Sequence, residues 1–230
     1  MASRAGPLTA LVPSLLLLAA LPAAAQLPVP GPPGPYVIDL RGALGPFPKD
    51  QAFFPPVPPG TIVPSRGFGI DLGGHVYLMG IGAARLGIGL NLVQLRHTTS
   101  PPEPDKPAGT TTTPTPTPRT IPDVHATLTL MAPQVSLNFG SANGWSYLSA
   151  GMGTAGMRTS SSGTEKTGAR ESGRLSAINV GGGARWFRNR HMAFAFDVRF
   201  HLVSARAQPV PLLGSPKTTM ALISAGLSMR

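Results

Sequence analysis

The sequence predicts an all-β fold: an eight-stranded, antiparallel, up-and-down transmembrane β-barrel behind a cleaved signal peptide. Three observations predict it. Eight segments alternate large apolar residues with small or ionic ones at period two, the spacing that sends successive side chains to opposite faces of a strand. The connections between these segments read long, short, long, short to the end of the chain. After the N-terminus no segment holds the roughly 18 continuous apolar residues of a membrane helix, so any crossing falls to the strands.

Composition narrows the class. Of 230 residues only 12% are charged, against about 25% in ordinary soluble domains. Most of the 27 Pro fall in a few segments, while many of the 28 Gly sit inside alternating stretches. That distribution describes formed strands joined by irregular loops. The absence of cysteine excludes disulfide scaffolds, thiol nucleophiles and Cys-based zinc sites. A net charge of +10 suits nucleic acid, an anionic membrane surface or an acidic polysaccharide. The N-terminus discriminates among them. MASRAGPLTALVPSLLLLAALPAAAQ has Arg4, an apolar stretch centred on Leu15–Leu18 and an A-x-A-type site at Ala23–Ala25, the layout of a secretory signal peptide over 1–25. Pro13 and Pro22 argue against a retained anchor. Export removes nucleic acid from the partners. Residues 26–35 form a Pro-rich lead-in whose GPPGP lacks the sustained repeat of collagen, and the barrel fills 36–230.

The elements follow in order. The first strand, 36–45, sets Tyr36, Ile38, Leu40 and Leu44 against Asp39 and Arg41. The second, 67–80, sets Phe68, Ile70, Leu72, Val76 and Leu78 against Asp71, His75 and Tyr77. The third, 85–97, has Leu86, Ile88, Leu90 and Leu92 opposite Gly87, Gly89 and Asn91; its phase slips near Val93, which predicts a bulge. The fourth, 126–140, carries Leu128 and Leu130 in one phase and Val135, Leu137 and Phe139 in the other. A second bulge is predicted at Ala132–Pro133, because proline cannot donate to a ladder. In the fifth, 144–158, Leu148, Ala150 and Met152 oppose Ser149, Gly151 and Gly153. In the sixth, 174–187, Ile178, Val180, Ala184 and Trp186 oppose Asn179, Gly181, Gly183 and Arg185. The seventh, 191–202, alternates Met192, Phe194, Phe196, Val198, Phe200 and Leu202 with His191, Ala193, Ala195, Asp197, Arg199 and His201. In the eighth, 219–230, Ala221, Ile223, Ala225, Leu227 and Met229 oppose Ser224, Gly226, Ser228 and Arg230.

Which medium touches each face follows from the whole set. The long loops are about 46–66, 98–125, 159–173 and 207–218; the short turns are 81–84, 141–143 and 188–190. Outer-membrane barrels have longer external loops and tight periplasmic turns, and an even strand count leaves both termini on the periplasmic side. A soluble barrel with the oily face inward would be overfilled by Phe, Leu and Ile from eight strands. Inverted, apolar residues meet lipid and glycine makes room in a narrow lumen. The lipid-facing set is Ile38, Leu40, Ile70, Leu72, Leu86, Ile88, Leu90, Phe194, Phe196, Val198, Phe200, Ile223 and Leu227. The polar lumen holds Asp39, Arg41, Asp71, His75, Asn91, Asn179, Arg185, Asp197, Arg199 and His201. Tyr36, Phe139, Trp145, Tyr147, Trp186 and Phe187 cluster at the short-turn ends, where they predict a periplasmic aromatic girdle.

Through GIDLGGHVYLMG, GGGARWF and MAFAFDVRFHL, with the signal peptide and the loop alternation, the chain resembles the small eight-stranded bacterial outer-membrane β-barrels of the OmpA-transmembrane-domain and OmpX type over about 36–230. The resemblance implies location in the outer membrane and insertion by the barrel assembly machinery. Such barrels usually end in an aromatic residue that this machinery reads, whereas this chain ends Leu227-Ser228-Met229-Arg230.

The remaining chemistry is modest. Asp39/Arg41 and Asp197/Arg199 place opposite charges on one face, and a buried salt-bridge network with Asp71 and Arg185 follows. It neutralises a plugged lumen or, alternatively, lines a narrow channel. His75 and His201 lack the third partner and spacing of a metal site, and hydrogen-bonded interior histidines are expected; no metal and no cofactor is predicted. A His201/Ser204 pair near the outer rim leaves a lipid A-modifying enzyme as the third reading, and no catalytic residue is assigned. TTTTPTPTP at 110–118 reads as an extended, solvated segment. Lys49, Arg66, Arg96, Lys106, Arg119, Arg158, Lys166, Arg170, Arg174, Arg206 and Lys217 lie in loops and rims, where lipopolysaccharide phosphates are the expected contact beside the membrane lipids themselves. The function read from the sequence is structural, surface-contact or adhesive, with a side-chain-filled lumen.

Overall fold

A computed structural model describes residues 35–57, 60–100, 122–141, 144–162, 169–204 and 217–230. The signal peptide, most of the lead-in, the TTTTPTPTP segment, and Lys106, Arg119, Lys166 and Arg206 lie outside the described residues. The strands are β1 (Tyr36–Pro46), β2 (Arg66–Ile81), β3 (Ala84–Thr99), β4 (Val124–Ser141), β5 (Gly144–Ser161), β6 (Arg170–Glu171), β7 (Leu175–Phe187), β8 (Met192–Val203) and β9 (Thr218–Met229). Apart from the two-residue β6, every strand pairs antiparallel with both neighbours, and β1 pairs with β9 from Ile38↔Met229 to Leu44↔Ile223. The chain is therefore a closed eight-stranded up-and-down barrel. No predicted strand end lies more than three residues from the observed one.

The long connections contain two short elements that the sequence reading leaves as loop. A 3-10 turn, Gln51–Phe53, is capped by Asp50, whose Oδ1 accepts from the Ala52 N–H at 2.8 Å. β6 pairs with Arg158 and Thr159 of β5. At the opposite end, Gly82 adopts φ +58° in the turn joining β2 to β3, a conformation that costs glycine little and other residues more.

Neither predicted bulge exists. β3 and β4 pair without a register shift from Ala84↔Phe139 to Thr99↔Val124, with Pro133 opposite Leu90. The one irregularity among the pairings with β3 lies in β2 between Tyr77 and Met79, and it turns Leu78 and Met79 both outward. What changes near Val93 and Ala132 is the polarity of the two faces. Below this level the interior of β4 carries Gln134, Ser136 and Asn138; above it, Leu130, Leu128, Ala126 and Val124. A conserved alternation of direction with a switch in polarity looks, in sequence alone, like a slip of phase.

The switch falls at one height across neighbouring strands. Leu92 pairs with Met131 and Met131 with Thr154; one step higher, Val93 pairs with Leu130, Leu130 with Ala155 and Ala155 with Leu175. Above this row the interior is an apolar cluster that includes Leu95, Leu128, Met157, Leu175, Met220 and Leu222. The exterior there carries Gln94, Arg96, Thr127, Thr129 and Arg158. Below it the outside is an apolar belt. On β1 and β2 the belt continues higher, to Leu44 and Phe68. Met131–Phe139 and Ile178–Trp186 each span nine residues, which at about 3.3 Å per residue and a tilt near 40° rise roughly 20 Å. That is close to the height of a membrane-barrel belt, about 25 Å.

Candidate functional site

Eight strands enclose a space that side chains just fill, so the chemistry of the interior is a question of which side chains fill it. Odd-numbered positions of β1, β2, β3, β7 and β8 point inward in its middle third, bringing Asp39, Arg41, Asp71, His75, Asn91, Asn179, Arg185, Asp197, Arg199 and His201 into one layer, each 5% exposed or less.

Within this layer the charges are paired. Arg185 grips Asp39 with two parallel bonds, Nε to Oδ1 at 2.9 Å and Nη2 to Oδ2 at 2.7 Å, the fork geometry that strengthens an Arg–carboxylate contact. The Ser228 hydroxyl also donates to Asp39. Arg41 donates from Nε to Asp71 Oδ2 at 3.1 Å, and Asp71 further accepts from Asn91 Nδ2 at 2.5 Å and from the Ser224 hydroxyl at 2.7 Å. Arg199 contacts Asp197 through Nη2 at 2.9 Å and donates to Asn179 and Ser149. Three arginines thus meet three aspartates, and the layer carries no net charge beyond its histidines.

Tyr147 joins these pairs. Its hydroxyl accepts from Arg41 Nη1 at 2.9 Å and donates to Asp197 Oδ2 at 2.7 Å, while the Arg185 guanidinium lies 4.0 Å from its ring centroid. Here the structure corrects the aromatic girdle. Tyr147, Trp145 and Phe187 are 2%, 1% and 5% exposed and point into the barrel, whereas Tyr36, Phe139 and Trp186 lie outside. The reason is parity: Trp145 and Tyr147 share the phase of Ser149, and Phe187 that of Arg185. Clustering along the chain does not decide a face; position modulo two does. Sequence reasoning also missed Ser149, Ser224, Ser228 and Gln134 as partners. Their signal was the same parity.

The lower end has an apolar floor of Val37, Tyr77, Trp145, Phe187 and Ala193. The Arg230 guanidinium covers it from below, 4.3 Å from the Phe187 ring and 5.1 Å from Trp145. The upper end is closed by the connection after β1. Phe47, Phe53 and Phe54 sit in the apolar upper tier. Thr159 Oγ1 donates to the Phe53 carbonyl at 2.7 Å, and the Phe47 N–H donates to the Ser65 carbonyl at 3.0 Å. Above this lid, a cavity of about 620 Å³ is bordered by Asp50, Gln51, Phe54, Val57, Thr61 and Arg170.

Two further expectations are not met by the structure. His75 is buried beside Gly89 with its ring centroid 6.4 Å from that of Tyr147, and neither ring nitrogen meets a protein hydrogen-bond partner. His201 points inward while Ser204 is exposed, so the two do not form a dyad.

Ile38, Leu40, Ile70, Leu72, Ile88, Leu90, Phe194, Phe196, Phe200, Ile223 and Leu227 are exposed on the exterior, and Leu86 and Val198 are half-buried there. No family model matches the chain, and no curated protein does. Among solved structures, it is similar to Neisserial surface protein A at 10% identity and a TM-score of 0.48, covering 85% of this chain and 97% of that one. It is similar to Ail, the attachment invasion locus protein of Yersinia pestis, at 10% identity and a TM-score of 0.42, over 84% and 95%. It is likewise similar to the outer membrane protein OprG of Pseudomonas aeruginosa, at 11% identity and a TM-score of 0.40, over 84% and 94%.

Proposed function

We propose that the chain is an integral outer-membrane barrel with a structural or surface-contact role and a closed lumen. One observation carries the reading. The charged side chains of the middle tier are sealed inside, and the outer wall around them is a continuous belt of apolar side chains. Soluble domains rarely expose a contiguous apolar patch beyond a few hundred Å², whereas a bilayer demands one and tolerates ionic groups only where protein surrounds them. The closed ring leaves no strand edge with unpaired backbone, as hydrocarbon requires.

A conduit is a poorer reading of the same interior. A channel needs a wetted path with sites that solutes can leave. Here an aromatic floor, a neutralised ionic layer and an apolar tier with a lid follow one another along the axis. What remains available to partners is the long-loop rim, where Lys49, Arg66, Arg96, Arg158, Arg174 and Lys217 outnumber Asp50, Asp123 and Glu171 among the described residues. Anionic glycolipid phosphates are the ligands that such a rim recruits.

Membrane fractionation with heat-modifiable gel mobility tests the reading. Protein extracted only by detergent, with a mobility shift on boiling, is the expected result. Soluble protein without a shift would overturn it.

A further inference from the structure

The short-turn end carries a feature that neither the sealed interior nor the long-loop rim uses. The turn between β7 and β8 contains Arg188-Asn189-Arg190-His191, and it is fixed from several sides. Asn189 Oδ1 accepts from the backbone N–H groups of His191 at 2.9 Å and Met192 at 2.8 Å. The Arg188 N–H donates to the Met192 carbonyl at 2.9 Å. Just past β9, Arg230 donates its N–H to the His191 carbonyl at 3.0 Å and its Nε to the Arg190 carbonyl at 2.7 Å.

Arg188 and Arg190 are exposed on this rigid turn. Among the described residues no acidic side chain is near to compete for them: Asp39, Asp71 and Asp197 lie in the interior layer, and Asp50, Asp123 and Glu171 in the long connections at the other end. Directly above the turn, Trp186 and Phe194 form a cross-strand pair on the outside, stacked at 6.0 Å with 25° between planes. They are 44% and 51% exposed and continue the apolar belt. Guanidinium forks match phosphate oxygens, and aromatic side chains at the edge of a belt sit at headgroup level. A ligand that satisfies both must be an anion with a hydrocarbon tail attached.

We infer that this hairpin end is a binding site for an anionic phospholipid of the adjacent leaflet. Arg188 and Arg190 hold the headgroup phosphate, and the Trp186–Phe194 stack receives the start of the acyl chains. The inference rests on the membrane reading above. An acidic polymer without a tail would use the arginines and leave the aromatic pair unengaged.

Tryptophan emission tests it, because Trp186 is the exposed one of two tryptophans and Trp145 is buried. The full chain is inserted into phosphatidylcholine vesicles containing a minor fraction of brominated phosphatidylglycerol or, in parallel, brominated phosphatidylcholine. At low salt, phosphatidylglycerol should be enriched at Trp186 by about fivefold. The enrichment should disappear in Arg188→Gln/Arg190→Gln and persist in Arg66→Gln/Arg96→Gln, which removes the same charge from the opposite rim. Equal quenching by the two lipids would overturn the site, and so would an equal loss in both variants. Quenching by neither lipid would overturn the membrane reading along with it.

Discussion

Leu130 and Met131 are consecutive residues of β4, and both sit among apolar neighbours, yet Leu130 is 2% exposed and Met131 47%. Leu130 belongs to the upper core and Met131 to the outer belt. Between them the barrel changes from apolar outside and polar inside to the reverse. Such an inversion is expected where a protein leaves hydrocarbon for water, since the medium outside dictates which face must be oily.

The cost of a charge on the outer wall should therefore depend on height. Phe196→Arg, within the belt, is expected to destabilise the folded barrel by about 2–4 kcal/mol, and Thr129→Arg, just above the inversion, by about 0–1 kcal/mol. Reversible denaturant unfolding in lipid vesicles measures both. Equal costs would place the boundary elsewhere.

The bidentate Arg185–Asp39 contact should behave as a coupled unit. Asp39→Asn leaves a buried guanidinium uncompensated and is expected to cost about 3–5 kcal/mol. Replacing both residues by leucine should cost less than the sum of the two single replacements, because no orphaned charge remains. A double-mutant cycle by denaturant unfolding gives the coupling directly; additivity within about 0.5 kcal/mol would count against a pair.

The seal should not depend on the lid alone. Phe53→Ala removes a buried ring and should cost about 3–5 kcal/mol of stability. In planar bilayers, however, both the native barrel and this variant should remain silent, since the ionic layer and the aromatic floor persist below. Steady conductance in Phe53→Ala would mean that the lid is the whole gate.

Glycine at an inward position is a space allowance. A Cβ at Gly183 would meet the Phe196 carbonyl oxygen of the neighbouring strand first and would lie 2.7 Å from the Tyr147 hydroxyl oxygen, so Gly183→Val must shift both the strand backbone and the residue that links Arg41 to Asp197. A loss of about 1–3 kcal/mol is expected from overpacking. Gly80→Val, where no atom lies within 4 Å, is the control and should change the unfolding midpoint little.

Strand number, order and connection pattern were legible because each wall residue answers to a period of two. Faces were legible wherever one of them was ionic, as with Asp197 and Arg199. They were misread where both faces were oily: Leu128 and Leu130 point inward, Val135 and Leu137 outward, and the sequence offers no mark for which medium each meets. Tyr147 and Trp145 face inward with Ser149, because parity, and not clustering at the turn ends, sets a residue's face. The lid was illegible for a different reason. Phe47, Phe53 and Phe54 lie in a Pro-rich connection without periodicity, and only the closed ring gives them a mouth to fill.

The inversion row also has a mechanical meaning. The sheet runs through it without interruption, so no strand can rise or sink alone. Lifting the barrel by two residues would bring Leu92, Met131 and their row into water. Lowering it by two would pull Arg96 and Arg158 toward hydrocarbon. Each displacement is opposed on several strands at once. On the proposed membrane reading, the wall carries its own waterline, and the depth at which the barrel would float is written in side chains rather than set by its loops.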